Sequence, residues 1–285
     1  MTPVHSATES RRVTGVASLA LRELLRGPCR AGRVMGTLHQ ALYLEFPEPV
    51  PQPGVIVLSP PDAPRPPNAI LAQVPELAAG VEVCAGDGRV TAGELEVKIS
   101  RWWDPSPVFG PVSRARLDHG TAALARICHA AACQPGLPRA TLAPLAGACA
   151  AGDLATAVEA AEALTGLGAG LVPSGDGMIC GVLLALRLLG GAISGGTRAV
   201  WLADWLGAAV TCHAAKRTTT LAAALLHCAA GGQAAAEASE VLLAIAGHEA
   251  LEPAAARLLA GTAGADLAAG LVTGCRAAVR LSRTR

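Results

Sequence analysis

Beyond Ser113 the sequence reads as helix almost without a break, and this second half constrains the fold more than any other feature of the chain. Apolar residues recur at helical spacing over 114–133, 139–150, 153–165, 176–190, 197–215, 218–230, 234–246, 252–260 and 266–281. The segments between carry helix-breaking residues, as at Pro135-Gly136, Gly166, Gly190-Gly191 and Gly231-Gly232. Links this short predict helices packed antiparallel against their neighbours. Alanine supplies much of the 52% hydrophobic content, favours helix at little side-chain entropy cost, and lets helix axes approach closely.

The first part of the chain has a different period. Thr14 to Leu25 carries Leu19, Leu21, Leu24 and Leu25 on one side and Arg22, Glu23 and Arg26 on the other, which predicts an N-terminal helical segment within 1–29, stopped by Gly27-Pro28. From Gly32 onward short apolar runs appear around Val34, Leu42 and Val55-Ile56-Val57-Leu58, divided by proline-rich segments in which regular pairing fails. Leu95, Val97 and Ile99 alternate with Glu94, Glu96 and Lys98, the pattern of a half-buried strand. The expected class is α+β, with a small antiparallel, barrel-like β domain at 30–112 followed by a larger, mostly α-helical domain at 113–285.

Composition removes several function classes. A net charge of +1 and an aromatic content of 2% give neither the field nor the stacking platforms of a nucleic-acid binder. The most apolar run, 178–193, is interrupted by Arg187 and falls short of the roughly 20 residues of a membrane span, so no membrane association is expected. The opening MTPVHSATESRR has no secretory order, which points to a cytoplasmic chain. The 9 cysteines form no C-x-x-C pair, and Cys180, Cys212 and Cys228 fall on apolar helical faces, as expected of small thiols in a reducing compartment rather than of disulfides or a zinc site. No metal and no cofactor is expected. His39, His119, His129, His227 and His248 read as isolated surface or core residues, and no Ser-His-acid arrangement is visible.

One stretch combines unusual composition with a physical use: GLGAGLVPSGDGMICG, residues 166–181. It is a glycine-dense loop feeding an apolar helix. The unpaired N–H groups and dipole of such a helix start can hold a phosphate or carboxylate. Glycines such as Gly168, Gly170 and Gly175 let the backbone take positive φ and approach a ligand closely. Ser174 and Asp176, after Pro173, suit an N-cap equally well, and the alternative is a tight, capped connection with no ligand. The loop is neither a P-loop, lacking the closing Gly-Lys-Ser/Thr, nor a dinucleotide fingerprint, lacking a preceding strand. Two further clusters accompany it. Lys216, Arg217, Thr218 and Thr219 gather cations and hydroxyls between apolar helices, either as a capped junction or as donors to an anion held near Asp176. Thr262, Gly264 and Asp266 echo the central motif, since Gly264 and Gly270 have the separation of Gly175 and Gly181 with an Asp between. Trp103 and Asp104, with Arg101, close the β-rich region or edge a ligand cleft.

The central stretch resembles GLGPGLTPSGDD, the signature of the AllH-like family, formerly a domain of unknown function, which includes the AllH subunit of the oxamate carbamoyltransferase of allantoin catabolism. Trp103-Asp104-Pro105, Arg217-Thr218-Thr219 and the second glycine motif support the resemblance. Val172 replaces the usual Thr, Gly177 the second Asp, and Ala263 a Ser. The resemblance implies a transfer in which oxamate and carbamoyl phosphate exchange with oxalurate and phosphate, carried out with partner protein subunits. On that basis the backbone around Ser174-Gly175-Asp176 is expected to receive a phosphate or carboxylate, with Lys216 or Arg217 neutralising charge and Thr218 and Thr219 donating hydrogen bonds. No residue is identified as catalytic. A non-catalytic small-anion-binding or scaffold subunit with a diverged site is the alternative, and a stand-alone enzyme for another small carboxylate or amide is a third.

Overall fold

The computed structural model describes residues 11–38, 40–131 and 133–282. His39 and the start of the N-terminal stretch read above for a leader lie outside the described residues. The chain forms two compact units divided between Asp104 and Pro105.

The first unit is a closed barrel of eight strands: β1 Arg11–Ser18, β2 Arg30–Leu38, β3 Ala41–Glu45, β4 Val55–Ser59, β5 Ala69–Leu71, β6 Glu82–Gly86, β7 Arg89–Ala92 and β8 Leu95–Trp103. Around the barrel the order is β1-β5-β4-β3-β2-β6-β7-β8. The expected antiparallel arrangement is corrected to a mixed one, because β1 pairs with β8 in parallel, as does β4 with β5. The 14–25 helix is also corrected. Its first part is β1, where Gly15 and Ala17 face inward at period two, and only Arg22–Arg26 forms a short helix, α1. Ser18 makes the switch, its hydroxyl accepting the N–H of Ala20 to start a 3-10 turn over Leu19–Leu21. The helical signal of Leu19 to Leu25 is therefore genuine, whereas Val13 to Ser18 belongs to the barrel. At Gly15 a Cβ would stand 2.8 Å from Ile70 and 2.9 Å from Val97, so the strand needs glycine where it crosses the filled interior. That interior holds Leu21, Leu25, Leu42, Leu44, Ile56, Leu58, Ile70, Val90 and Val97. Cys29 and Cys84, with Cα atoms 5.9 Å apart, are joined in a disulfide, against the expectation of free thiols.

The second unit contains α2 Arg114–Ala130, α3 Ala143–Ala151, α4 Leu154–Leu164, α5 Ser174–Ala192, α6 Thr197–Arg217, α7 Thr220–Ala230, α8 Ala236–Ala246, α9 Leu251–Ala260 and α10 Gly264–Leu281. Side-chain caps fix three of the starts: Ser113 accepts the N–H of Arg116, Asp153 that of Thr156, and Thr219 that of Ala222. At the centre lies α5, with every residue from Ser174 to Leu186 buried. By length and composition it could cross a membrane, yet 78% of its apolar window is buried inside the protein, as in a core helix. Cys180 and Cys228 are buried as expected, whereas Cys212 is exposed.

α5 lies along α10, and the two cross on glycine. A Cβ at Gly181 would fall on the carbonyl oxygen of Leu267, and one at Gly270 on that of Met178. The relation is reciprocal. It continues at the helix starts, where a Cβ on Gly175 would strike the Leu164 carbonyl ending α4 and one on Gly264 would strike the Leu258 carbonyl near the end of α9. The echo between Gly175/Gly181 and Gly264/Gly270 is thus a physical pairing of two helix entries.

Candidate functional site

α5 starts at Ser174, with Pro173 as its non-helical first residue and no side-chain cap. Asp176 therefore sits inside the first turn, and the expectation that Ser174 or Asp176 caps the helix is corrected. Asp176 is fully buried and turns its carboxylate away from its own helix. It accepts the Gly166 N–H through both oxygens at 3.2 Å and the Thr218 hydroxyl at 2.5 Å. Burial raises its pKa, with the Thr218 and Gly166 hydrogen bonds opposing that rise. One carboxylate thus ties the loop before α5 to the junction after α6.

The same junction grips the loop twice more. Thr219 donates its hydroxyl to the Leu171 carbonyl at 2.6 Å while capping α7. Gly166, at φ +76°, passes so close to Arg217 that a Cβ would overlap the Arg217 carbonyl oxygen. Arg217 itself reaches sideways to α4, donating to the Glu162 carbonyl at 2.7 Å and pairing with the Glu162 carboxylate at 3.7 Å. Lys216 and His213 are exposed on α6.

Asp266 plays a parallel part at the start of α10. It is 7% exposed, accepts the Gly136 N–H at 2.9 Å, and hydrogen-bonds with the Ser174 hydroxyl. Burial again raises its pKa, opposed by those two hydrogen bonds. The structure therefore places two sets of polar contacts at the start of α5: Asp176 with Thr218, next to which Thr219 holds the loop, and, on another side, Ser174 with Asp266 as a second cluster. Gly136, read from sequence only as a helix link, belongs to it; nothing local to Pro135-Gly136 signals a contact with α10. Thr262 is exposed and outside both. Trp103 and Asp104 belong to the barrel unit, where Arg65 lies 5.8 Å from the Trp103 ring centroid and the buried Trp103 Nε1 has no hydrogen-bond partner among the described residues.

What this geometry can do is set by which donors remain. In the first turn of α5, Gly175 N–H is taken by the Leu167 carbonyl and Gly177 N–H by the Pro173 carbonyl, and the turn is buried. Two carboxylates already sit at the paired helix starts and offset their dipoles. The loop above is different: Leu167 to Leu171 are exposed, Gly168 and Gly170 have φ of +110° and +99°, and the N–H groups of 168–172 make no backbone hydrogen bond among the described residues. Successive unspent N–H groups around positive-φ glycines form an anion-receiving concavity. A separate cleft of about 210 Å³ opens between α2, α3, α9 and α10, rimmed by Arg139 and Arg276, and none of the loop residues lines it.

No curated protein and no solved structure gives a significant match to the chain. A family model described as oxamate carbamoyltransferase subunit AllH matches residues 164–275. That stretch runs from the end of α4 through the loop, α5 and the Arg217–Thr219 junction into α10, and over these residues the chain is similar to the AllH family.

Proposed function

We propose that the chain is an AllH-like subunit of a carbamoyltransferase and that its glycine loop, rather than the first turn of α5, receives the anionic end of the substrate. The row of N–H groups over 168–172 that make no backbone hydrogen bond among the described residues, in a loop exposed at 168–171 and shaped by Gly168 and Gly170, carries this reading. Asp176, Thr218 and Thr219 act as positioning residues that hold the loop in its receiving shape. Lys216 and Arg217 close α6 beside it and supply positive potential.

In the transfer implied by the family, the oxamate nitrogen attacks the carbonyl carbon of carbamoyl phosphate. The new bond is C–N, the bond broken is the C–O to phosphate, and the proton lost by the nitrogen ends on the departing phosphate. A protein that holds the departing phosphate or the oxamate carboxylate on backbone donors, and aligns the two reactants, lowers this barrier without a covalent nucleophile. The remaining machinery belongs to partner subunits, and the exposed Leu167 (41%) and Leu171 (46%) offer apolar purchase for one of them beside the loop.

A second reading, a binding or scaffold subunit with a diverged site, is favoured by one position. At Gly177, where the resembling signature has a second Asp, a Cβ would stand 3.1 Å from the Asp266 Cβ. A carboxylate there would make a like-charge pair with Asp266, and this chain has none.

Thermal unfolding with phosphate, carbamoyl phosphate, oxamate and oxalurate, each alone, tests the site, because a ligand bound only by the folded state raises the melting temperature. The expected result is a saturable rise that Gly170→Ala abolishes, since a side chain at φ +99° distorts the loop while meeting no neighbour within 4 Å. A rise that survives Gly170→Ala and Gly168→Ala would move the site elsewhere. Turnover on mixing with partner subunits separates the first reading from the second.

A further inference from the structure

α6 buries Ala199, Leu202, Ala203, Leu206, Gly207, Val210 and Ala214 against the helical unit, and its opposite face is unusual. Trp201 and Trp205 stand 45% and 56% exposed there, one helical turn apart. The chain has only 4 tryptophans, and aromatic residues make up 2% of it, so two exposed indoles on one turn are not a by-product of composition. Continuing along the same stripe are Ala208 and Cys212, both exposed. At 100° per residue these four positions fall within about 60° of one another. Of the charged residues beside them, Asp204 pairs with Arg187 on α5 and Arg198 donates to the Ala151 carbonyl, while Lys216 lies exposed beyond the end of the stripe.

The stripe is large at one end and small at the other. Turning a second copy of the helix antiparallel about a two-fold axis between Leu206 and Gly207 sets Trp201 opposite Cys212 and Trp205 opposite Ala208. Each indole then meets a small residue, and the helix dipoles oppose favourably. An isologous interface requires this self-complementarity, and α6 meets it by carrying both large residues on one side of the axis and both small ones on the other. We propose that the outer face of α6 is a homodimer interface in which Trp201 and Trp205 of each copy pack over Ala208 and Cys212 of the other. Buried tryptophans are the residues that most often dominate such interfaces.

The test is the mass of the full chain by light scattering after size exclusion, with the tryptophan emission followed on dilution. The wild type is expected to be dimeric at micromolar concentrations and to shift its emission to the red as it dissociates. Trp205→Ala and Ala208→Trp should each weaken the dimer by roughly tenfold or more. The exchange variant carrying both changes should recover much of the loss, because the two-fold places these two positions opposite each other. Far-ultraviolet circular dichroism checks that these exposed substitutions leave the fold intact. A monomeric wild type overturns the proposal, whether the face is then found to bind a different subunit or nothing. A dimer indifferent to both single variants also overturns it, and a dimer weakened by each yet not recovered by the exchange overturns the antiparallel pairing on which it rests.

Discussion

Replacing Gly270 by Ala should destabilise the helical unit even though alanine is the better helix former. The gain in intrinsic propensity is about 1 kcal/mol. Against it, the new Cβ would fall on the Met178 carbonyl oxygen and lie 2.9 Å from both the Met178 carbonyl carbon and the Gly181 Cα. Carbon atoms settle at about 3.5–4.0 Å, so α5 and α10 must part by more than about 0.5 Å at their crossing. Both contacts are backbone of the buried part of α5, and no side chain can move aside. Overpacking of this kind costs about 1–3 kcal/mol and occasionally more, and a gap of about 0.5–1 Å forfeits a quarter to a half of each contact along the faces that open. We take the gross cost as about 3–5 kcal/mol and the net as about 2–4 kcal/mol. For a unit of this size that lowers the melting temperature by roughly 5–15 °C in calorimetry. Gly147→Ala is the matched control. This glycine is exposed on α3, and a Cβ added there would meet nothing within 4 Å, so the same change should raise stability by up to about 1 kcal/mol. If Gly270→Ala proved as stable as the wild type, the close crossing that joins the two helix starts would be wrong.

The buried carboxylates give a pH prediction. Burial holds the folded pKa of Asp176 above its ordinary value, so the folded state binds more protons, and the associated stability is present at low pH and lost as pH rises through the folded value. Asp176→Asn, which keeps the shape and an acceptor for Gly166, should flatten that loss and leave the protein no less stable at neutral pH, as measured by unfolding across mildly acidic to neutral pH. Thr218→Val should cost about 1–3 kcal/mol at neutral pH by removing a donor from a buried carboxylate, and the cost should shrink on acidification. Arg217→Ala should cost less than about 1 kcal/mol, since its pair with Glu162 is exposed on both sides, and should weaken anion binding less than Gly170→Ala does.

Much of the helical unit is legible in the sequence because its signals are local. Ser113, Asp153 and Thr219 cap helices whose starts a short polar residue before an apolar run announces. The barrel is less so. Its parallel pairings, β1 with β8 and β4 with β5, are not local, and no local pattern encodes which strands close a barrel. Val13 to Ser18 lacks a clear strand signal because Gly15 replaces an inward side chain with none. At the site, the 166–181 stretch and the Arg217–Thr219 junction stand out by composition. Their roles do not, because whether an N–H is free depends on a carbonyl elsewhere: Gly175 is closed by Leu167, while Gly168 and Gly170 stay open. The Asp266–Gly136 bond spans 130 residues and leaves no trace in either motif.

The most direct measurement is an amide proton titration of the labelled chain with phosphate and with carbamoyl phosphate. Saturable downfield shifts are expected at Gly168 and Gly170, with little change at Gly175 and Gly177, whose N–H groups are already bonded. Shifts centred on the first turn of α5, or a loop that does not respond to either anion, would contradict the assignment of the glycine loop as the anion site.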